Sequence, residues 1–344
     1  DRAYVPWIGA LLTLITIFYT SMGGLKAVVV TDVVQSFIFL GGALLSIVVV
    51  CFQLGSFTAI FPAEWPAHWD ALRLGFDPLE RTTLGNAVLV LFVWYVCTSG
   101  SDQMAVQRYL STKDIHTARK SFRISLYSNV IAYILLALVG LAMLAFFTSN
   151  QDFLLAGKSL NEQADTLFPR FIMIGLPPGV SGLVIAGLLA AAMSSMSSGL
   201  NSVSSVIAED IIKRFRKKTA PVPDPLKQVK KLSYLTGVIV MALSFFVGEV
   251  PGNLLDVIMK VVNLFVAPLF VLFFMALFVP FATGRATFWA GIISVAVAIA
   301  VAFWGIFGIT VLWIMPVSLI AGIVAGIVLS YADRLLFKRE PGRS

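Results

Sequence analysis

An all-α fold embedded in a lipid bilayer is what this sequence predicts, on three observations. Of 344 residues, 58% are hydrophobic and 12% are charged, about half the charge of an ordinary soluble domain. Apolar runs of the roughly 20 residues that a helix needs to cross the hydrocarbon recur along the whole chain. The basic residues behind the net charge of +7 collect in a few short loops. Membrane topology accounts for that clustering, and no nucleic-acid partner is implied.

The runs place membrane helices at 5–22, 33–53, 85–100, 125–148, 178–211, 233–249, 254–280, 286–309 and 311–332. Gly23–Gly24 breaks the first, and Asp32 opens the second. The fifth starts after Pro177–Pro178, where proline is tolerated, and is long enough to overrun the bilayer or tilt. Loop 101–124, loop 212–232 and the tail after 332 carry most of the Lys and Arg, with Lys26 and Arg285 marking two further turns. All five fall on one side when nine helices alternate. By the positive-inside rule that side is cytoplasmic, so residue 344 lies inside and residue 1 outside. A chain that starts outside, with neither Met nor a signal peptide, is expected to follow upstream helices. The Trp-rich and Pro-rich "FPAEWPAHWD" suits the outer interface. Segment 107–124 reads as a short amphipathic surface helix, and 219–226 as a Pro-rich linker. Cys51 and Cys97 lie in apolar runs, where no disulfide is expected. The whole of 1–344 reads as one transmembrane domain.

The fifth span carries the polar groups. Its stretch "AAAMSSMSSGLNSVSSVIAEDI" holds Ser194, Ser195, Ser197, Ser198, Ser202, Ser204 and Ser205. At 100° per residue, Ala191, Ser194, Ser195, Ser198, Asn201, Ser202 and Ser205 share an arc of about 120°, with Ser197 and Ser204 on its flank. Three readings fit such a stripe. Small residues let membrane helices pack closely. Serine hydroxyls can bond back to their own helix. Hydroxyl and carbonyl oxygens also suit a hard cation such as Na⁺. Asp32, in "YTSMGGLKAVVVTDVVQSF", has two readings as well. It is a helix-start acid of the ordinary kind, or a membrane-edge acid on an ion pathway.

Three stretches, "YTSMGGLKAVVVTDVVQ", "SDQMAVQRYLSTKD" and "AAAMSSMSSGLNSVSSVIAEDI", resemble the sodium:solute symporter family and occur in that family's order. The resemblance implies a LeuT-like fold of ten core helices in two inverted five-helix repeats. On this reading the chain holds core helices four to ten plus two C-terminal helices, and the first helices are missing. It implies Na⁺ as the coupling ion, with no organic cofactor. The principal Na⁺ site then uses the Ala191 carbonyl with the Ser194 and Ser195 hydroxyls. A second site uses Asp32, Ser194, Ser197 and Ser198. The function implied is Na⁺-coupled symport of a small organic solute by alternating access, in the plasma or inner membrane.

Solute sites in such folds lie near the midplane beside discontinuous helices. The resemblance points to Trp94, Tyr95, Thr98, Ser99 and Gln103 on one segment, with Lys260 and Asn263 on another. Trp94 and Tyr95 also read as packing or interface residues, and Lys260 as a side chain reaching to solvent. A cavity-facing Lys260 would favour an anionic solute. An intramembrane protease is excluded by composition: the two histidines, His68 and His116, lie in loops and leave a Ser–His or zinc site without its base or ligands. "AGKS" at 156–159 lacks the first glycine of a phosphate loop, since residue 152 is Asp, so no ATP-driven pump is implied. A non-transporting membrane sensor or scaffold with the same fold is the alternative. The sequence fixes neither the solute nor the oligomeric state.

Overall fold

A computed structural model of the chain describes residues 4–64, 66, 69, 71–80, 83–154, 159–215, 224–247 and 254–337. Most of the linker 219–226, the end of the tail, His68 and most of the "AGKS" segment lie outside the described residues. Among those described, α-helices dominate, with one isolated bridge between Arg73 and Thr83. The helices are α1 (Val5–Leu54), α2 (Leu84–Ser101), α3 (Gln103–Leu110), α4 (Ile115–Ser149), α5 (Ala164–Ile174) and α6 (Val180–Val206), which runs through a π-helical stretch, Ile207–Ile212, into the short α7 (Lys213–Phe215). Then follow α8 (Pro225–Val247), α9 (Leu254–Phe278), α10 (Gly284–Trp304) and α11 (Ile314–Phe337).

Seven stretches among the described residues are long and apolar enough to cross a membrane: 26–54, 84–101, 115–149, 180–215, 258–278, 284–304 and 311–336. These seven are counted among the described residues alone; Trp7–Met22 is a further apolar helical stretch, and the expected span 233–249 falls on α8, which opens with Lys227, Lys230 and Lys231. Large apolar side chains stay exposed along the helices, Phe37 at 74% and Phe52 at 82% among them. In water such surface would be a liability; against lipid tails it is matched.

α1 corrects one expectation and sharpens another. Its backbone is helical from Val5 to Leu54 without interruption, so Gly23–Gly24 does not end a helix and Asp32 does not cap one. Glycine accepts helical dihedrals at a cost of about 1 kcal/mol, and nothing obliges it to leave them. The axis nevertheless turns. Gly42 lies against Val184, and Gly187 against Ile38 and Phe39, while Asp32 bonds Ser194 and Ser198. α1 and α6 are therefore antiparallel over this length. A straight α1 would carry Tyr19 about 20 Å past Asp32, yet the Tyr19 hydroxyl donates to the Met193 carbonyl at 3.3 Å. The first half must fold back between Tyr19 and Asp32.

The chain divides into two compact units. Unit 1 comprises 1–69 and 113–248, and unit 2 comprises 70–112 and 249–344. In unit 1, α6 lies against α1 and α8, and α4 against α1. Phe146, Phe147 and Phe171 centre an apolar core between α1, α4 and α5. Beside it is an apolar cavity of about 780 Å³ lined by Phe39, Leu136, Leu144, Phe168 and Val184 among others. None of the expected ion ligands lines it. The fourth span starts ten residues earlier than expected, because Asp114 caps α4 by accepting from the Thr117 N–H at 2.7 Å. Segment 107–124 is thus split between α3 and the first turns of α4 and forms no separate surface helix.

In unit 2, α9, α10 and α11 pack together and α2 lies on α9. Close approach depends on absent side chains. A Cβ on Gly322 would meet Val271 Cγ2 at 2.7 Å and Ser294 Cβ at 2.8 Å, and one on Gly326 would meet Met275 Sδ at 2.7 Å. The two glycines are four residues apart on α11, the small-residue spacing that lets membrane helices touch. The buried Ser294 hydroxyl donates across to the Ser318 carbonyl at 2.8 Å.

Candidate ion and solute sites

The fold-back of α1 sets Asp32 against the middle of the serine helix. The Ser194 hydroxyl donates to Asp32 Oδ1 at 2.6 Å, and the Ser198 hydroxyl to Oδ2 at 3.0 Å. Asp32 lies deep within α1, far from either end, and has no cap to make, which removes the ordinary reading of Asp32. Its oxygens are turned to α6 instead. Short hydroxyl–carboxylate bonds of this kind are among the stronger hydrogen bonds.

The other predicted ligands divide. Ser197 is fully buried but donates back to the Ser194 carbonyl at 3.0 Å. Ser195 is exposed and donates to the Ala191 carbonyl at 3.3 Å, so those two expected ligands are bonded to each other. Ser194 is half-buried and belongs to both expected sites. A hydroxyl that donates one hydrogen bond keeps two lone pairs. Ser194 can therefore hold Asp32 and still offer oxygen to a cation.

Further along α6 a second polar cluster faces α8. The Ser233 hydroxyl donates to the Ser204 hydroxyl at 3.1 Å, Ser204 to the Leu200 carbonyl at 2.6 Å, and the Thr236 hydroxyl lies 3.4 Å from that of Ser204. All three residues are buried. Ser205 bonds back to the Asn201 carbonyl at 2.8 Å. The lower stripe is thus helix-to-helix adhesive, and the upper stripe is the part joined to an acid.

Sequence reasoning passed over Tyr19, Thr20, Gln35, Ser233 and Thr236. The Tyr19 contact is described above. Thr20, 2% exposed, has a buried hydroxyl without a partner, as has the Oε1 atom of Gln35 one turn after Asp32. Three of these stood in the same quoted motif as Asp32, which was the signal available. Ser233 and Thr236 gave only a spacing of three residues on a helix.

The expected solute residues lie in unit 2. Trp94 packs among Val93, Cys97 and Ala267. Tyr95 is half-buried and turned about 100° away from Trp94. Thr98 donates back to the Trp94 carbonyl at 2.7 Å. Asp102 ends α2 and caps α3, accepting from the Met104 N–H at 2.9 Å, so Gln103 opens α3. Burial raises the Tyr109 phenol above its usual range, against a hydrogen bond with Ser99 that lowers it. Lys260 is half-buried, and Asn263 is 1% exposed with its carbonyl oxygen unpartnered.

Comparison with known proteins follows the geometry. Residues 8–294 match the profile of the sodium:solute symporter family. The sodium/sialic acid symporter SiaT of Proteus mirabilis is 29% identical over 305 residues, covering 86% of this chain and 59% of that protein. Sodium/glucose cotransporter 4 of Homo sapiens is 26% identical over 314 residues, covering 84% and 46%. The chain therefore spans about half the length of the curated relatives it matches. In structure it resembles a Na⁺-coupled sialic acid symporter solved in a substrate-bound outward-open state. The TM-score is 0.78 and the identity 23%, covering 99% of this chain and 69% of that one.

Proposed function

This chain belongs to the sodium:solute symporter family, and from that premise we propose that it serves Na⁺-coupled symport of a small organic solute by alternating access. One observation carries the reading: Asp32 of α1 and Ser194 and Ser198 of α6, 162 and 166 residues distant in sequence, meet at hydrogen-bond distance. The donor set is all oxygen and includes one carboxylate, which suits a hard monovalent cation better than a soft metal. Ala191, Ser194 and Ser195 form the principal Na⁺ site. Asp32, Ser194, Ser197 and Ser198 form a second one, which Ser197 joins by releasing its bond to the Ser194 carbonyl.

The mechanism follows from linkage. An ion held between α1 and α6 favours the state in which those helices are held together, and solute binds that state more tightly. Ion and solute then raise each other's affinity by the same factor. The membrane potential drives the charge inward with about 2.3 kcal/mol per 100 mV. Trp94, Tyr95, Thr98, Ser99, Gln103, Lys260 and Asn263 line the solute path. The C-terminus is cytoplasmic and residue 1 faces outward. The test is solute uptake into liposomes by the intact protein, with and without an inward Na⁺ gradient. Sodium-driven accumulation supports the reading. Uptake that ignores the gradient refutes it.

A further inference from the structure

The first turns of α4 gather cations on one face. At 100° per residue, His116, Arg119, Lys120 and Arg123 share an arc of about 100°. All four are exposed, and with Thr117 and Phe122 they frame a shallow pocket of about 630 Å³. α4 holds no Asp or Glu from Ile115 to Ser149, and the acid just before it, Asp114, is turned to the Thr117 N–H. Arg119, Lys120 and Arg123 enter no ion pair among the described residues. The basic end beyond α6 differs, since Glu209 there accepts from Lys213 at 2.7 Å. The positive-inside rule counts basic residues and is indifferent to the face they occupy, so it leaves this clustering unexplained.

The same face changes character with height. Further along α4, Tyr127, Val130 and Ile134 fall within the same arc and are 71%, 55% and 57% exposed. α4 is 35 residues long, about 52 Å of helix against a hydrocarbon core of about 30 Å. Its basic start therefore projects beyond the hydrocarbon. With the apolar run taken from residue 125, Arg123 lies about 3 Å and Lys120 about 8 Å outside it. That is the depth of the headgroup layer, about 5–8 Å on each side. Cations at headgroup depth, continued by bare apolar side chains at hydrocarbon depth, match the two parts of a phospholipid.

We infer that this face of α4 is a site for an anionic phospholipid. Arg119, Lys120 and Arg123 hold its phosphate, with His116 at the margin, and its acyl chain lies along Tyr127, Val130 and Ile134. Arginine offers a planar fork to phosphate oxygens, and lysine a point charge. A zwitterionic lipid has the same phosphate but brings a cation of its own, so it gains less from the cluster. The site ties the start of α4 to the membrane edge, and with it the apolar core that α4 shares with α1 and α5. The inference rests on α4 crossing the bilayer and draws nothing from the transport reading.

The experiment is native mass spectrometry of the intact protein with phosphatidylglycerol and, separately, with phosphatidylcholine of the same chains. A cation near an anionic lipid surface contributes about fivefold in affinity. Lys120→Gln should therefore weaken phosphatidylglycerol about fivefold, and Arg119→Gln, Lys120→Gln and Arg123→Gln combined about a hundredfold. Phosphatidylcholine should change much less. The same loss of charge on α8, with Lys227→Gln, Lys230→Gln and Lys231→Gln combined, should leave both lipids unmoved. A second readout locates the chains. The emission gained in Tyr127→Trp should be quenched more strongly in vesicles of brominated-chain phosphatidylglycerol than in those of brominated-chain phosphatidylcholine. Equal binding of the two lipids, a preference that survives in the α4 triple variant, or an equal loss in the α8 variant overturns the site. Emission quenched equally by both lipids, or by neither, also overturns it, the second because protein then covers this face.

Discussion

At the scale of single residues, the prediction that matters most concerns Asp32 and the two hydroxyls it receives. Ser194→Ala removes an oxygen from both proposed sites and should raise the Na⁺ concentration for half-maximal uptake about tenfold or more, since a hydrogen bond to a charged group contributes about 1.5–3 kcal/mol. Ser198→Ala should act in the same direction with smaller effect, because its bond is longer. Asp32→Asn should weaken the second site and reduce the number of Na⁺ ions carried per solute. Paired flux of labelled Na⁺ and solute measures both quantities, and unchanged sodium dependence in Ser194→Ala sinks the assignment. Asp114 offers a pH test. The hydrogen bond from the Thr117 N–H lowers its pKa from the ordinary 3.8. The stabilisation is therefore full above that value and is lost as pH falls through the lower folded one. Amide exchange at Thr117 should quicken as pH is brought toward that range, relative to the intrinsic rate. In Asp114→Ala it should be fast throughout.

At the scale of helices, packing decides. Gly187 holds α6 against α1, where an added Cβ would meet the Ile38 carbonyl at 3.0 Å. Gly322 holds α11 against α9 and α10. Gly322→Val should cost about 1–3 kcal/mol by overpacking and lower the melting temperature in detergent, whereas Gly41→Ala, with open space around it, should hold or raise it. The hydroxyl cluster between α6 and α8 is worth less. Ser233→Ala should cost about 0.6 kcal/mol, the mean for such bonds in membranes, and should leave Na⁺ affinity alone.

At the scale of the whole molecule, the membrane architecture was legible because hydrocarbon thickness imposes a length and a polarity that any reader of the chain can measure. The expected helices at 85–100, 286–309 and 311–332 fall on α2, α10 and α11. The early start of α4 was missed because Asp114 and Ile115 follow a polar stretch, and the cap that joins them is a matter of three-dimensional geometry. The bend in α1 was read correctly as a reversal and wrongly as a break, since two glycines announce a change of direction without saying whether hydrogen bonding survives it. Of the candidate ion site, the serine stripe and the acid were visible in the residues themselves, and their meeting was expected only through the family resemblance, which set Asp32 with Ser194, Ser197 and Ser198. Nothing in composition says that residues 162 apart touch. On the proposed topology Tyr4 faces outward and Leu336 the cytoplasm, so an impermeant thiol reagent should label Tyr4→Cys but not Leu336→Cys in sealed, right-side-out cells. Equal labelling of both would overturn that arrangement.

The π-helical stretch Ile207–Ile212 carries Glu209 and Asp210 and sits between the proposed ion ligands of α6 and its charged end at Lys213 and Arg214. A π turn takes i→i+5 bonds where an α-helix takes i→i+4, so it holds one residue more than the α-helical frame needs. Each residue turns a helix by about 100°. The charged end is therefore out of phase with the ligands above it, offset as a dial is by one notch. Re-aiming it would take no change of chemistry at all, only a change of length by one.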